Sequence, residues 1–202
     1  MNSIRTQELP SFIFRPESIL ERIDYKSLFP SLQPVELELG SGDGSFLSKY
    51  AALHLERNFL ALERLLGRLR KLDRKCARAG LTNVRMLRME AAYFVEYMIP
   101  KGSLSAIHIY FPDPWPKRKQ RKNRLINERF VLLSHQALLS GGKIYLRTDD
   151  ADYFQQMTTV YDSSPLFKKD ETPDELSAVI TDFERNFNAR GVATNRAAYQ
   201  RT

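Results

Sequence analysis

The sequence predicts a three-layer α/β fold, a mostly parallel central sheet with helices on both faces. Three observations lead there. From Val35 onward, short apolar runs alternate with longer stretches of helical periodicity, the pattern of successive βαβ units. A glycine-rich turn, Gly40-Ser41-Gly42-Asp43-Gly44, follows the first apolar run, at the edge where open α/β sheets take ligands. A chain of 202 residues with 43% apolar content is also large enough for one domain with a substantial core.

Each element has its own justification. Residues 1–34 precede the alternating pattern and are expected to form an N-terminal arm distinct from the main domain, residues 35–202. Within the arm, Phe12 and Phe14 read as extended chain, and Pro16 to Phe29 as a short helix with Pro16 in its first turn. Pro30 and Pro34 bracket a linker. Val35, Leu37 and Leu39 alternate with Glu36 and Glu38 in a first strand ending at Gly40. Further strands are expected over Phe59 to Glu63, Val84 to Met89, Ser105 to Phe111 and Lys143 to Thr148. Leu65, Leu69, Leu72, Cys76 and Ala79 form an apolar helical stripe closed by Gly80. Glu128 to Leu139 reads as a helix ending before a Gly141-Gly142 turn, and another helix follows Asp149 and Asp150, either of which can cap it. Beyond Tyr161 the expectation is a strand at Leu166 to Lys169, a helix over Pro173 to Asn186 and a last strand at Val192 to Tyr199.

Composition narrows the function. Thirty-one Lys and Arg against 24 Asp and Glu give a net charge of +7, which favours a polyanionic partner. No run approaches the ~18 consecutive apolar residues of a membrane span. The opening residues lack the basic-then-apolar layout of a signal peptide, so the expected location is cytoplasmic. One cysteine, Cys76, and three dispersed histidines, His54, His108 and His135, leave neither a disulfide nor a metal site.

The glycine turn is the first chemical signal. It departs from the dinucleotide fingerprint, because Ser45 stands where a third glycine belongs, and from the phosphate-binding loop, because Phe46 stands where a lysine belongs. Its Gly-x-Gly-x-Gly form suits S-adenosyl-L-methionine, whose methionine tail needs room beside bare backbone. Glu63 ends the second strand, where a carboxylate can accept the hydroxyls of a ribose. Glu38 and Glu90 end the first and third strands; alone, either reads as a solvated carboxylate, and only the trio is informative.

The second signal is Phe111-Pro112-Asp113-Pro114-Trp115-Pro116, in which three prolines stiffen a loop holding one acid and the chain's only tryptophan. Lys117 to Arg124 follows, six cations in eight residues, each able to neutralise a phosphate if the loop meets nucleic acid. Another cationic row, Arg64, Arg68, Lys71, Lys75 and Arg78, reads as the wet face of its amphipathic helix.

These residues resemble the bacterial tRNA (guanine-N7-)-methyltransferase family, whose fold is the Rossmann-like class I methyltransferase fold. The resemblance runs from about Val35 to the C-terminus. It rests on Glu38-Leu39-Gly40, Ala61-Leu62-Glu63, the block at 111–117, Arg147-Thr148-Asp149 and Thr181-Asp182-Phe183-Glu184. It implies that Glu38, Glu63, Glu90 and Asp113 surround S-adenosyl-L-methionine, alongside the Gly40, Gly42 and Gly44 turn already read as its site, and that Asp113 is catalytic. It also implies that Lys117, Asp149, Thr181 and Glu184 contact a tRNA substrate; the assembly expected is a monomer or a homodimer. Three residues depart from the family pattern: Glu90 for a usual Asp, Gln120 for His and Asn123 for Arg. The alternatives are a methyltransferase acting on another RNA position, a non-catalytic RNA-binding protein on the same scaffold, and a nicotinamide enzyme, which Ser45 disfavours.

Overall fold

The computed structural model describes residues 11–202. Seven strands form one sheet in the order β3-β2-β1-β4-β5-β7-β6. They are β1 Val35–Leu39, β2 Asn58–Leu62, β3 Val84–Leu87, β4 Leu104–Tyr110, β5 Leu138–Thr148, β6 Phe167–Asp170 and β7 Asn195–Arg201. The first five pair in parallel, and β7 runs antiparallel between β5 and β6. The helices are α1 Tyr25–Leu28, α2 Leu47–Leu53, α3 Leu66–Arg78, α4 Ala91–Tyr93 with a π-turn after it, α5 Glu128–Ala137, α6 Ala151–Asp162, α7 Asp174–Ala178 and α8 Asp182–Asn188.

Two cores flank the sheet. Val35, Leu37 and Leu39 of β1 face one core, which takes Phe94, Phe130, Tyr153 and Met157 from α4 to α6 and the turn after α4. The other core takes Phe46, Leu47 and Tyr50 from α2 and its cap, and Leu69, Leu72 and Cys76 from α3. Burying such apolar side chains contributes about 1.5–3 kcal/mol apiece. The alternation in β1 suggests a strand wet on one side; instead Glu36 and Glu38 are buried beneath the second layer of helices.

Three expectations are corrected and a fourth is narrowed. Only Tyr25–Leu28 of the Pro16-to-Phe29 segment is helical, capped by the Asp24 carboxylate accepting from Lys26 N–H. Upstream, the Ile23 N–H instead donates to the Met98 carbonyl at 2.8 Å. The Gly141-Gly142 pair lies inside β5: Leu138 pairs with Leu104 and Lys143 with Ala106, so the pair sits in an irregular stretch where the register shifts to absorb the extra residues. Of the two expected caps for the helix after β5, Asp150 serves, accepting from Tyr153 N–H at 2.7 Å. The helix over Pro173 to Asn186 is broken into α7 and α8, because the Arg147 guanidinium donates to the Leu176 and Val179 carbonyls that a continuous helix needs internally.

The extended reading of the arm holds at Phe12 to Phe14: Ile13 bridges Met86 in parallel, and Asp73 on α3 accepts from Phe12 N–H at 2.7 Å. The part of the arm at 1–10 lies outside the described residues. Among the described residues, no helix is long and apolar enough to cross a membrane, and no cluster of His, Cys, Asp and Glu is arranged to hold a metal.

Candidate active site at the carboxyl edge of the sheet

The turn after β1 is built by backbone bonds to its neighbour strand. The Gly40 and Ser41 N–H groups both donate to the Leu62 carbonyl, at 2.9 and 2.8 Å. Glu63 then clamps the turn from the side, its two carboxylate oxygens accepting from Gly42 N–H at 2.9 Å and Leu65 N–H at 2.8 Å. Each oxygen keeps a second lone pair for a ligand. The three glycines divide into two kinds. A Cβ at Gly40 or Gly42 would meet nothing within 4 Å, whereas one at Gly44 would lie 2.3 Å from Leu72 Cδ1. Gly40 and Gly42 leave bare backbone beside open space, and Gly44 lets α3 pack close.

Glu38 lies behind this turn. It is 3% exposed, and its Oε2 is buried with no hydrogen-bond partner. Burial pushes its carboxyl up to about 8, against the pull of Arg147 and with the added repulsion of Glu63 and Asp43. Ser41 Oγ and Arg147 Nε are likewise buried without partners. Unsatisfied buried polar atoms are rare and costly. Glu38 beside the bare turn suits a small polar ligand with a positive charge at one end, which describes the methionine part of S-adenosyl-L-methionine. Glu90 is placed differently: it is exposed and caps α4, accepting from Ala92 and Tyr93 N–H.

The loop after β4 is held under strain. Phe111 and Trp115 have φ of 51° and 44°, left-handed values that cost non-glycine residues on the order of 1–3 kcal/mol. Such strain persists where surroundings enforce it, and two anchors do so here. Phe111 N–H donates to the Arg147 carbonyl at 2.8 Å. Arg124, only 2% exposed, donates from Nε to the Pro114 carbonyl at 2.7 Å. Between the anchors Asp113 is exposed and makes no side-chain hydrogen bond among the described residues. Asp149 follows β5 nearby in the edge, half-buried.

Lys117 caps a 3₁₀ helix, Arg118–Asn123. The expectation that all six cations of this run face phosphate needs correction. Arg124 is a buried clamp that also binds Gln156 and Asp152 and covers the Tyr153 ring, and Arg121 pairs with Asp152 at 3.0 Å. Lys117, Arg118, Lys119 and Lys122 remain exposed and without an ion-pair partner among the described residues.

Thr181 and Glu184 face inward. Thr181 Oγ1 caps α8 by accepting from Glu184 N–H at 2.9 Å. Glu184 is fully buried, with one oxygen 3.2 Å from Arg147 and the other paired to Arg196. In this structure the pair fixes α8 to the sheet, and Asp182 N–H reaches Ser45 Oγ on the glycine turn.

Ser41, Arg124 and the structural part of Arg147 were not evident from sequence. Nor was a closed network deeper in the sheet. There His108, fully buried, bonds Glu36 Oε2 at 2.7 Å through Nε2 and the Tyr110 hydroxyl at 2.9 Å through Nδ1. Arg57 completes Glu36 at 3.1 Å. The one available signal was polar residues at alternate positions of otherwise apolar strands.

Comparison with known proteins yields consistent likenesses. A family described as putative methyltransferase matches residues 32–197. A tRNA (guanine-N(7)-)-methyltransferase of Syntrophotalea carbinolica is 37% identical over 147 residues, covering 73% of this chain and 63% of that protein. The enzyme of the same name from Alkalilimnicola ehrlichii is 32% identical over 183 residues, covering 91% of this chain and 77% of its own. Among solved structures, the 16S rRNA methyltransferase KamB superposes with a TM-score of 0.62 at 16% identity, over 88% of this chain and 91% of that one, a likeness of fold.

Proposed function

The chain belongs to the tRNA (guanine-N7-)-methyltransferase family and has the class I methyltransferase fold, and on that premise we propose that it methylates N7 of a guanosine in tRNA, in the variable loop. The observation that carries the reading is a conjunction at one sheet edge. The buried, unpartnered Glu38 and the bare turn at Gly40 and Gly42 stand beside a strained loop that presents Asp113.

S-adenosyl-L-methionine, when bound, supplies a methyl group activated by its sulfonium. Glu38, the glycine turn and Glu63 are the residues to hold it, with Glu90 toward its adenine end. Guanine N7 carries a lone pair and no proton, so its methylation requires no base and rests on positioning. Asp113 keeps its acceptor oxygens free for guanine N1–H and the exocyclic amine, and its charge offsets the positive charge that develops on the ring. Asp149 offers a second acceptor, Trp115 a stacking surface, and Lys117 a partner for a neighbouring phosphate. N7 lies on the Hoogsteen edge, so a base engaged in tertiary pairing swings out to reach this loop. Thr181 and Glu184 serve the substrate indirectly by holding α8 in place.

The test is methyl incorporation into total tRNA, followed by reduction and aniline treatment. Cleavage at one variable-loop guanosine is expected; incorporation without cleavage would assign another atom. Absence of S-adenosylhomocysteine binding at millimolar concentration would reject the enzyme in favour of an RNA-binding protein. Asp113→Ala is expected to abolish most turnover, and Lys117→Ala to weaken chiefly tRNA binding.

A further inference from the structure

From Arg64 to Arg78 the chain carries seven Lys and Arg residues against one acid, Asp73. That acid is committed to the arm, accepting from Phe12 N–H and Ser11 Oγ. Lys75 is paired with Asp43 of the glycine turn at 2.9 Å. Arg70, Lys71, Arg74 and Arg78 are exposed and have no ion-pair partner among the described residues. They lie on the side of α3 away from the buried Leu69, Leu72 and Cys76, at i,i+3 and i,i+4 spacings where like charges repel by a few tenths of a kcal/mol per pair. The first turn of α3 has no acid to answer the helix dipole. A helix that served only as a wet cover would interleave acids; this one bears repulsion that no ion pair among the described residues relieves at Arg70, Lys71, Arg74 and Arg78.

Its place supplies the reason. α3 packs against the glycine turn through Leu72 and Gly44. The Arg68 guanidinium lies 5.9 Å from the centre of the half-exposed Phe183 ring, which stacks at 6.4 Å on Phe111, the first residue of the strained loop. The other basic surface, Lys117 to Lys122, is tied through Arg124 to α6 on the opposite face of the sheet. The edge that carries Asp113 therefore runs between two cationic surfaces, most of whose exposed cations have no ion-pair partner among the described residues.

We propose that the exposed face of α3 is a second phosphate-binding surface for the folded RNA substrate, gripping it on the far side of the catalytic edge from Lys117 to Lys122. The proposal rests on the tRNA reading above and extends it. Charge complementarity and continuity with the reacting loop select an RNA backbone as the occupant.

The experiment measures tRNA affinity against salt for the full chain and for the variant Lys71→Gln, Arg74→Gln, Arg78→Gln. Each lost phosphate contact removes about 0.7–0.9 from the slope of log affinity on log salt. The expected result is a slope shallower by about two and affinity down at least about tenfold at low salt, with S-adenosylhomocysteine affinity, melting temperature and turnover at saturating tRNA unchanged. The charge-conserving variant Arg74→Lys, Arg78→Lys is expected to keep the wild-type slope. An unchanged slope in the glutamine variant, or a slope lost equally in the lysine variant, overturns the proposal. A wild-type chain that neither binds nor methylates tRNA overturns the functional reading instead. Wild-type methylation with identical titrations in both variants overturns only the α3 surface.

Discussion

Glu36 and Glu38 stand two residues apart on β1, face the same side of the sheet and are almost equally buried, at 5% and 3% exposure, yet one is closed and the other open. Glu36 is enclosed by His108 and Arg57. Burial alone would raise its carboxyl, but the His108 hydrogen bond and charge, joined by those of Arg57, hold it below its ordinary value. Glu38 has no hydrogen-bond partner at one oxygen and is raised to about 8. Removing a carboxylate from water is unfavourable unless something compensates. For Glu36 the compensation is a set of partners inside the fold; for Glu38 one oxygen has no partner, and the carboxyl stays protonated up to about pH 8 instead. Burial of an acid therefore does not by itself mark a site; the missing partner is what separates Glu38 from Glu36.

The strongest way to break this comparison is Glu36→Ala. It strands His108 and Arg57 and is expected to cost about 3–5 kcal/mol in urea unfolding, the usual result of breaking one half of a buried ion pair. A loss under ~1 kcal/mol would show that Glu36 is as open as Glu38. Glu38→Gln is expected to leave unfolding nearly unchanged while weakening S-adenosylhomocysteine by about 1.5–3 kcal/mol, the worth of hydrogen bonds to a charged group. Equal losses of stability from the two substitutions would erase the distinction.

Acidity sharpens the contrast, because the two groups act with opposite sign. Glu38 binds a proton more tightly folded than unfolded, so its contribution to stability is largest below the ordinary 4.5 and declines as pH rises toward about 8. Glu36 contributes above the ordinary carboxylate range, and its contribution disappears as pH falls through its lowered value. A cationic ligand favours ionised Glu38, so its affinity is expected to rise with pH up to about 8. At pH 7 binding should release protons, visible as a buffer-dependent heat that Glu38→Gln removes.

The smallest effects come from the two kinds of glycine. Gly44→Ala drives a methyl into Leu72 and is expected to lower stability by about 1–3 kcal/mol. Gly42→Ala meets open space and should cost only the ~1–2 kcal/mol of a left-handed residue, while lowering ligand affinity more than Gly44→Ala does.

The parallel half of the sheet was legible in the sequence because β1 to β4 each keep a simple apolar pattern and the glycine turn marks where the first one stops. What escaped was decided by partners far along the chain. Arg147 breaks the last helical segment by taking carbonyls 29 and 32 residues away. Arg124 is indistinguishable from its five cationic neighbours until α6 brings Asp152 and Gln156 to it. Thr181 and Glu184 are polar residues in a motif, and only the fold shows them turned inward. Local pattern reports which face a residue occupies; it does not report whether that face holds a partner.

Arg124 has one more consequence. It closes the cationic run yet is buried, and it donates to the carbonyl of Pro114, the residue directly following Asp113. The same guanidinium holds Gln156 and Asp152 of α6, so the backbone just past Asp113 is moored to a helix on the opposite face from α3, and loosening that helix would free the loop.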